Sequence, residues 1–268
     1  MECREIEKSI IKKFRKTLWC RFVRSIDEYN LVSDNDKIAV CISGGKDSML
    51  LAKMFQELKR HGRINFDLEF IVMNPGYNEE NLNLIKSNLE KLNIPAHIFD
   101  SNIFELADNY GGESPCYLCA RMRRGALYNK AQELGCNKIA LGHHFNDVIE
   151  TIMLNILYAG EYKTMMPKLK AENFKGLELI RPMYYVKEED VIAWAKYNEL
   201  NFINCACKMT SRREDEGKRK EIKKLIAKLK EINDNVDINI LRSSENVNID
   251  SIIAYKEDKK KISFLDKY

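Results

Sequence analysis

The stretch that most constrains this chain runs from Lys37 to Ser48, KIAVCISGGKDS. Ile38 to Ile42 is an apolar run suited to a buried strand, and it breaks into Ser43-Gly44-Gly45. Leu50, Leu51, Met54, Phe55 and Leu58 then recur at helical spacing, so a helix starts near Asp47 and Ser48. Paired glycines let the backbone approach a bound group because no Cβ stands in the way. Successive amides form an anion-binding concavity, and the helix N-terminus adds its positive partial charge. Lys46 supplies a full charge, and the Ser43 and Ser48 hydroxyls supply donors. This is a phosphate cradle, but its order is not the G-x-x-x-x-G-K-[ST] of the nucleotide-binding P-loop.

The chain has 268 residues, room for one large domain or a main domain with extensions. Apolar residues make up 45% and charged residues 31%, the balance of an ordinary globular protein. No apolar run approaches the roughly 20 residues that span a bilayer. The N-terminal MECREIEKSIIKKFRK lacks an apolar secretory core, so a cytoplasmic location without membrane contact is expected. Eight cysteines in such a chain point to thiol or metal chemistry more than to disulfides. The net charge of +4 does not by itself argue for nucleic acid, so the distribution of charge has to carry that claim.

From Arg4 to Arg24 basic residues outnumber acidic ones, and Ile6, Ile10, Ile11, Phe14, Leu18 and Phe22 recur at helical intervals. This predicts an amphipathic basic helix in a segment 1–30. Its Lys12, Lys13 and Arg15 either contact an RNA backbone or form a solvated face. Strand–helix units follow, with strands over 68–73, 96–99 and 138–141 and helices over 79–92, 120–134 and 146–158. Ile149, Ile152, Met153 and Ile156 are expected to face inward. Such alternation implies a parallel sheet covered on both faces, with ligands gathering beyond the carboxyl ends of its strands. The Ser-Gly-Gly loop, Asn74-Pro75-Gly76 and Gly142-His143-His144 should therefore converge on one pocket. Beyond Leu157 the pattern loosens into a short strand near 177–181, a helix over 187–198, a basic helix over 213–232 and a weakly periodic tail. Of the remaining histidines, His61 is assigned to the surface and His97 to the core.

Cys116-Tyr117-Leu118-Cys119 is a C-x-x-C followed by Arg121, Arg123 and Arg124, and Cys205-Ala206-Cys207 lies far downstream. Four thiolates would suit zinc, and three or four would suit an iron–sulfur cluster; spacing alone leaves both open. A thioredoxin-type redox pair does not fit the surrounding sequence. Cys3, Cys20, Cys41 and Cys136 read as small packing residues. Tyr117 and Phe145 either stack an unpaired base or pack inside the fold.

The order Ser43-Gly44-Gly45-Lys46-Asp47-Ser48 resembles the signature of the PP-loop ATP pyrophosphatases. With Cys116–Gly125, Leu141-Gly-His-His-Phe-Asn-Asp147, Met166-Pro-Lys-Leu169 and Ile180-Arg-Pro-Met-Tyr184 following in order, the chain is similar to the tRNA 2-thiocytidine synthetase family. The resemblance implies an α/β, adenine nucleotide α-hydrolase-like fold over 31–200, after the basic helix and before a C-terminal helical extension over 201–268. It implies ATP-dependent adenylation of a pyrimidine C2 oxygen in tRNA, cytidine 32 in this family, followed by sulfur transfer. Ser43, Gly44, Gly45, Lys46, Asp47, Ser48, Asn74, Gly142 and His143 would then bind ATP, and Asp47 and Asp147 would hold Mg2+. Cys116, Cys119 and Cys205 would ligate a 4Fe–4S cluster, with zinc as the alternative. Arg123 would polarise the activated base, and Arg121 and Arg124 would contact tRNA. A cysteine desulfurase or free sulfide would donate sulfur to what the likeness implies is a homodimer.

Two departures from the family pattern stand out. Asn204-Cys205-Ala-Cys207 replaces its Pro-Cys-x-x-Cys, which makes Cys207 a possible substitute ligand, and Asn146 replaces the first Asp of H-H-x-D-D. Uridine thiolases, a lysidine synthetase and a zinc-stabilised RNA-binding protein without catalysis are the rival readings. The uridine thiolases carry additional flanking zinc-binding Cys pairs that this core lacks, and lysidine synthetase needs no cluster.

Overall fold

The computed structural model describes residues 2–110, 115–203, 214–258 and 260–268. The chain opens with α1 (Cys3–Ile11), a π-helical turn (Arg15–Trp19) and α2 (Cys20–Glu28), then β1 (Lys37–Ile42) and α3 (Lys46–His61). Next come β2 (Asp67–Asn74), α4 (Glu79–Lys91), β3 (Ala96–Asp100), α5 (Ile103–Tyr110), α6 (Pro115–Glu133), β4 (Lys138–Ala140) and α7 (Phe145–Leu154). Strands β5 (Lys168–Lys170) and β6 (Glu178–Ile180) and helix α8 (Glu188–Tyr197) follow. Helices α9 (Glu214–Ile232) and α10 (Val236–Ser243) and the pair β7 (Ala254–Glu257) and β8 (Lys260–Ser263) complete it.

Two compact units are present, the first comprising Met1–Val148 with Met165–Gly217 and the second Ile149–Thr164 with Lys218–Tyr268. The first is built on a sheet of order β3-β2-β1-β4-β6-β5. β1 pairs in parallel with both β2 and β4, and β6 runs parallel to β4. β5 is an antiparallel edge strand that the sequence pattern does not reveal, because three residues are too short to show a period. One face of the sheet buries Val40, Leu51, Phe55, Val72 and Trp194, and the other buries Ala39, Ile71, Ala131 and Ile139. This confirms the parallel α/β reading. Among the described residues, no helix is long and apolar enough to cross a membrane.

The N-terminal segment departs from a single helix. Ile6, Ile10, Phe14, Leu18 and Phe22 stand four residues apart, and on a regular α-helix each such step drifts by about 40°. The wide π-type turn absorbs that drift, so Ile6, Ile10, Leu18 and Phe22 all stay buried in one core. His97 is not a core residue. It sits on the sheet's edge strand with its side chain 54% exposed, 3.1 Å from Glu69. Cys20 and Ile156 are likewise exposed, the latter because α7 ends in a second π-type turn. The tail is more ordered than its weak periodicity suggested. In the second unit, α9 buries Ile222 and Ile226, Lys230 pairs with Asp237 at 3.0 Å, and β7 and β8 form a hairpin.

The N-terminal helix is fastened to the first unit through charge. Lys53 of α3 is wholly buried, and its ammonium donates to Glu7 (2.7 Å), Gln56 (2.6 Å) and the Leu92 carbonyl (2.8 Å). Arg60 donates to the other Glu7 oxygen at 2.9 Å. Burial raises the Glu7 pKa, but the Arg60 and Lys53 hydrogen bonds outweigh it and hold the carboxyl at about 2. Breaking a buried pair leaves an uncompensated charge, so Glu7→Gln is expected to destabilise the protein by about 3 kcal/mol. A carboxyl with a depressed pKa stabilises the fold above its unfolded value of 4.5 and loses that contribution as pH falls toward 2. Denaturant titrations should therefore show the wild-type advantage over Glu7→Gln fully at pH 7 and shrinking below about pH 4.5.

Candidate active site

The parallel sheet brings four strand ends to one edge. β1 leads into Ser43-Gly44-Gly45, β2 into Pro75-Gly76, β4 into Leu141–His144, and β6 into Arg181. Gly44 adopts φ +85°, and a Cβ there would lie 2.6 Å from Ile85 and 2.8 Å from Ile203, so only glycine fits. The Ser43 N–H donates to Ser48 Oγ at 3.1 Å, and Ser48 Oγ donates to the Gly45 carbonyl at 3.0 Å. These bonds hold the loop curled over the first turn of α3. Gly142 comes close to the same turn, where a Cβ would meet the Asp47 carbonyl carbon and the Ser48 nitrogen at 3.2 Å.

Around this junction the charges alternate. Lys46 Nζ lies 3.2 Å from Asp47 and 3.6 Å from Glu188. Buried His144 stands between two aspartates, its Nε2 3.9 Å from Asp47 Oδ1 and its Nδ1 3.4 Å from Asp147 Oδ2. Asp147 also accepts the His144 N–H at 2.9 Å, capping α7 from within its first turn. Asp47 Oδ1 is buried and has no hydrogen-bond partner among the described residues. An orphaned carboxylate oxygen beside a phosphate cradle fits a magnesium ion, which takes one or two carboxylates plus phosphate oxygens. Among the described residues no group of three or more His, Cys, Asp or Glu forms an all-protein cation cage. His143 is half-buried in the same loop.

Other expected site residues fall as follows. The Asn74 side chain donates to Asp100 at 2.8 Å and accepts the Tyr77 and Gly76 N–H groups, so its polar atoms shape the turn after β2. Cys116 and Cys119 lie one turn apart in α6, Cys119 with a half-buried thiol. Cys205 and Cys207 lie outside the described residues, the first of them two residues beyond Ile203 at the Gly44 turn. Two cysteines one turn apart at the start of a helix suit thiolate ligation of an iron–sulfur cluster. Arg121 and Arg124 are exposed on α6, and Arg123 is half-buried. Lys12 and Arg15 are exposed, and Lys13 sits 4.0 Å above the Tyr197 ring. Phe145 is buried and cannot stack a base, whereas Tyr117 is 70% exposed. Burial pushes Cys41 up to about 12 and Cys136 up to about 11, so both stay neutral thiols.

Two residues escaped the sequence reading. Glu188, in the first turn of α8, lies 3.6 Å from Lys46. Arg181 ends β6 with a buried guanidinium Nε, and the signal for it was a lone arginine closing an apolar strand.

The PP-loop domain family matches residues 18–228. The tRNA-cytidine(32) 2-sulfurtransferase of Geobacter metallireducens is 34% identical over 226 residues, 84% of this chain and 87% of that protein. That of Syntrophotalea carbinolica is 36% identical over 241 residues, 89% of this chain and 88% of that protein. The solved U34-tRNA thiolase NcsA of Methanococcus maripaludis, with its [4Fe-4S] cluster, superposes at TM-score 0.68. It is 25% identical, with 84% of this chain and 76% of that one covered. By these matches the chain belongs to the PP-loop family, alongside the tRNA-cytidine 2-sulfurtransferases.

Proposed function

We propose that this protein is an ATP-dependent tRNA sulfurtransferase that replaces the C2 oxygen of a cytidine, at position 32, by sulfur. The observation that carries this reading is the junction at Gly142, where the phosphate cradle and the Asp47–His144–Asp147 charges come within one turn of each other. A carbonyl oxygen is a poor leaving group until it is phosphorylated or adenylated. In the proposed reaction the base O2 attacks the α-phosphorus of ATP, the α–β bond breaks, and pyrophosphate leaves. Sulfur then adds at C2, and AMP departs with the original oxygen.

The residues divide this work. The amides of Gly44 and Gly45, the hydroxyl of Ser43 and the charge of Lys46 hold the departing pyrophosphate and offset its developing charge, while Ser48 keeps the loop curled around it. Glu188, 3.6 Å from Lys46, orients its ammonium. Asp47 and Asp147 would hold Mg2+ against the phosphates, with His144 fixing the spacing of the two carboxylates. Gly142 and His143 border the nucleotide, and the turn that Asn74 builds borders its other side. Arg123 polarises the activated base, while Arg121, Arg124, Lys12, Lys13 and Arg15 contact the RNA backbone. When bound by Cys116, Cys119 and Cys205, a 4Fe–4S cluster supplies the sulfur in nucleophilic form. Free sulfide replenishes it directly, and a cysteine desulfurase does so once a thiol reductant has supplied two electrons to its persulfide sulfur.

Anaerobic purification with iron, acid-labile sulfide and zinc analysis tests the cluster. Iron and sulfide should appear in equal amounts in the wild type, vanish in Cys116→Ala and Cys205→Ala, and persist in Cys207→Ala. Zinc without sulfide would sink the sulfur-transfer reading. Separately, Lys46→Ala should retain its iron but lower AMP formation on tRNA transcripts by about 10²–10³-fold. Mass spectrometry of digested tRNA should show 2-thiocytidine with the wild type and Cys207→Ala and lose it in Cys116→Ala and Cys205→Ala.

A further inference from the structure

Arg181 occupies an unusual position. Ala140 pairs with Ile180 in the β4–β6 register, and the Leu141 N–H donates to the Ile180 carbonyl at 3.0 Å. Arg181 therefore stands beyond the end of β6, beside Leu141 and one residue from the Gly142 junction. Its Nη1 donates to the Met166 carbonyl, yet its Nε is buried with no hydrogen-bond partner among the described residues. No carboxylate there lies within ion-pair distance of it. A buried donor on a permanent cation is costly to leave unsatisfied.

Its surroundings sharpen the problem. Burial lowers the pKa of Arg181; nearby Tyr128, Tyr184 and Asp147 counter that, and Arg124 of α6 adds to it by like-charge repulsion. An anion beside a buried guanidinium offsets the cost of its desolvation. A phosphoryl group matches the fork of donors that arginine presents.

We propose that Arg181 forms a phosphate subsite at the end of β6, distinct from the amide cradle after β1, with Arg124 of α6 adding positive charge on its outer side. The inference rests on the sulfurtransferase reading above and refines it. Pyrophosphate would leave into the glycine cradle, while the subsite holds the phosphoryl group that stays on the activated base. Arg124 is carried by the helix that also bears Cys116 and Cys119, so this phosphoryl group would sit beside both the nucleotide loops and the sulfur-bearing helix. An RNA backbone phosphate presents the same chemistry, and binding measurements separate the two sources.

The test uses the cluster-loaded protein as wild type, Arg181→Gln and Arg181→Lys, with equilibrium binding of AMP, pyrophosphate and a tRNA transcript measured separately. Glutamine keeps a donor for the Met166 carbonyl, and melting curves verify the fold. Arg181→Gln is expected to weaken AMP roughly tenfold or more, as loss of a charge-assisted hydrogen bond does. Pyrophosphate should hold within about twofold, and Arg181→Lys should recover part of the AMP affinity. Weakened transcript binding with unchanged AMP binding would keep the subsite and assign it to the RNA backbone. Unchanged AMP and transcript binding overturns the proposal. So does a loss for all three ligands that tracks a lowered melting temperature and is not relieved by lysine. Wild-type protein that binds neither AMP nor pyrophosphate would remove the parent reading and the subsite together, whereas ligand binding untouched by Arg181→Gln removes the subsite alone.

Discussion

The architecture depends on two places where backbone must touch without a side chain between. At Gly44 the chain takes a positive φ against Ile85 and Ile203, and at Gly142 the loop after β4 lies against the first turn of α3. A methyl group at either position meets heavy atoms at 3.2 Å or less. The parallel sheet forces this closeness, because it places the ends of β1 and β4 side by side at the spacing of neighbouring strands. Everything polar in the site is then arranged around the contact. Lys46 pairs with Asp47, and Asp47, His144 and Asp147 follow one another along the same contact.

Much of this was legible in the sequence because the signals are local. Strand, glycine pair and helix follow one another within Lys37–Ser48, and the order of the later blocks identified the family. What escaped depends on long-range geometry. His97 looked like a core residue on a short apolar strand, but that strand lies at the sheet's edge, where one side chain of an alternating pair faces solvent. The break after α1 was hidden because a four-residue apolar repeat looks helical even where it needs a wider turn to stay on one face. Glu188 and Arg181 were invisible as site residues for the same reason. Each lies more than a hundred residues from the cradle in sequence and is brought to it only by the strand order.

The exchange of an aspartate for Asn146 can be understood in these terms. Its side-chain oxygen accepts the N–H of Glu188 at 3.0 Å, closing the start of α8. A carboxylate would accept that bond equally well, so the cap does not explain the change. Charge does distinguish the two residues. Glu188 and Asp147 already bring carboxylates to this edge, and a third beside the Glu188 N–H would add like-charge repulsion. The neutral amide keeps the helix start tied to the loop while leaving Lys46 and Asp147 to set the local charge. In the His-His-Phe-Asn-Asp segment Asp147 is the residue that carries a carboxylate. That places the electrostatic demand of the segment on one residue that is also fixed in place by the His144 N–H.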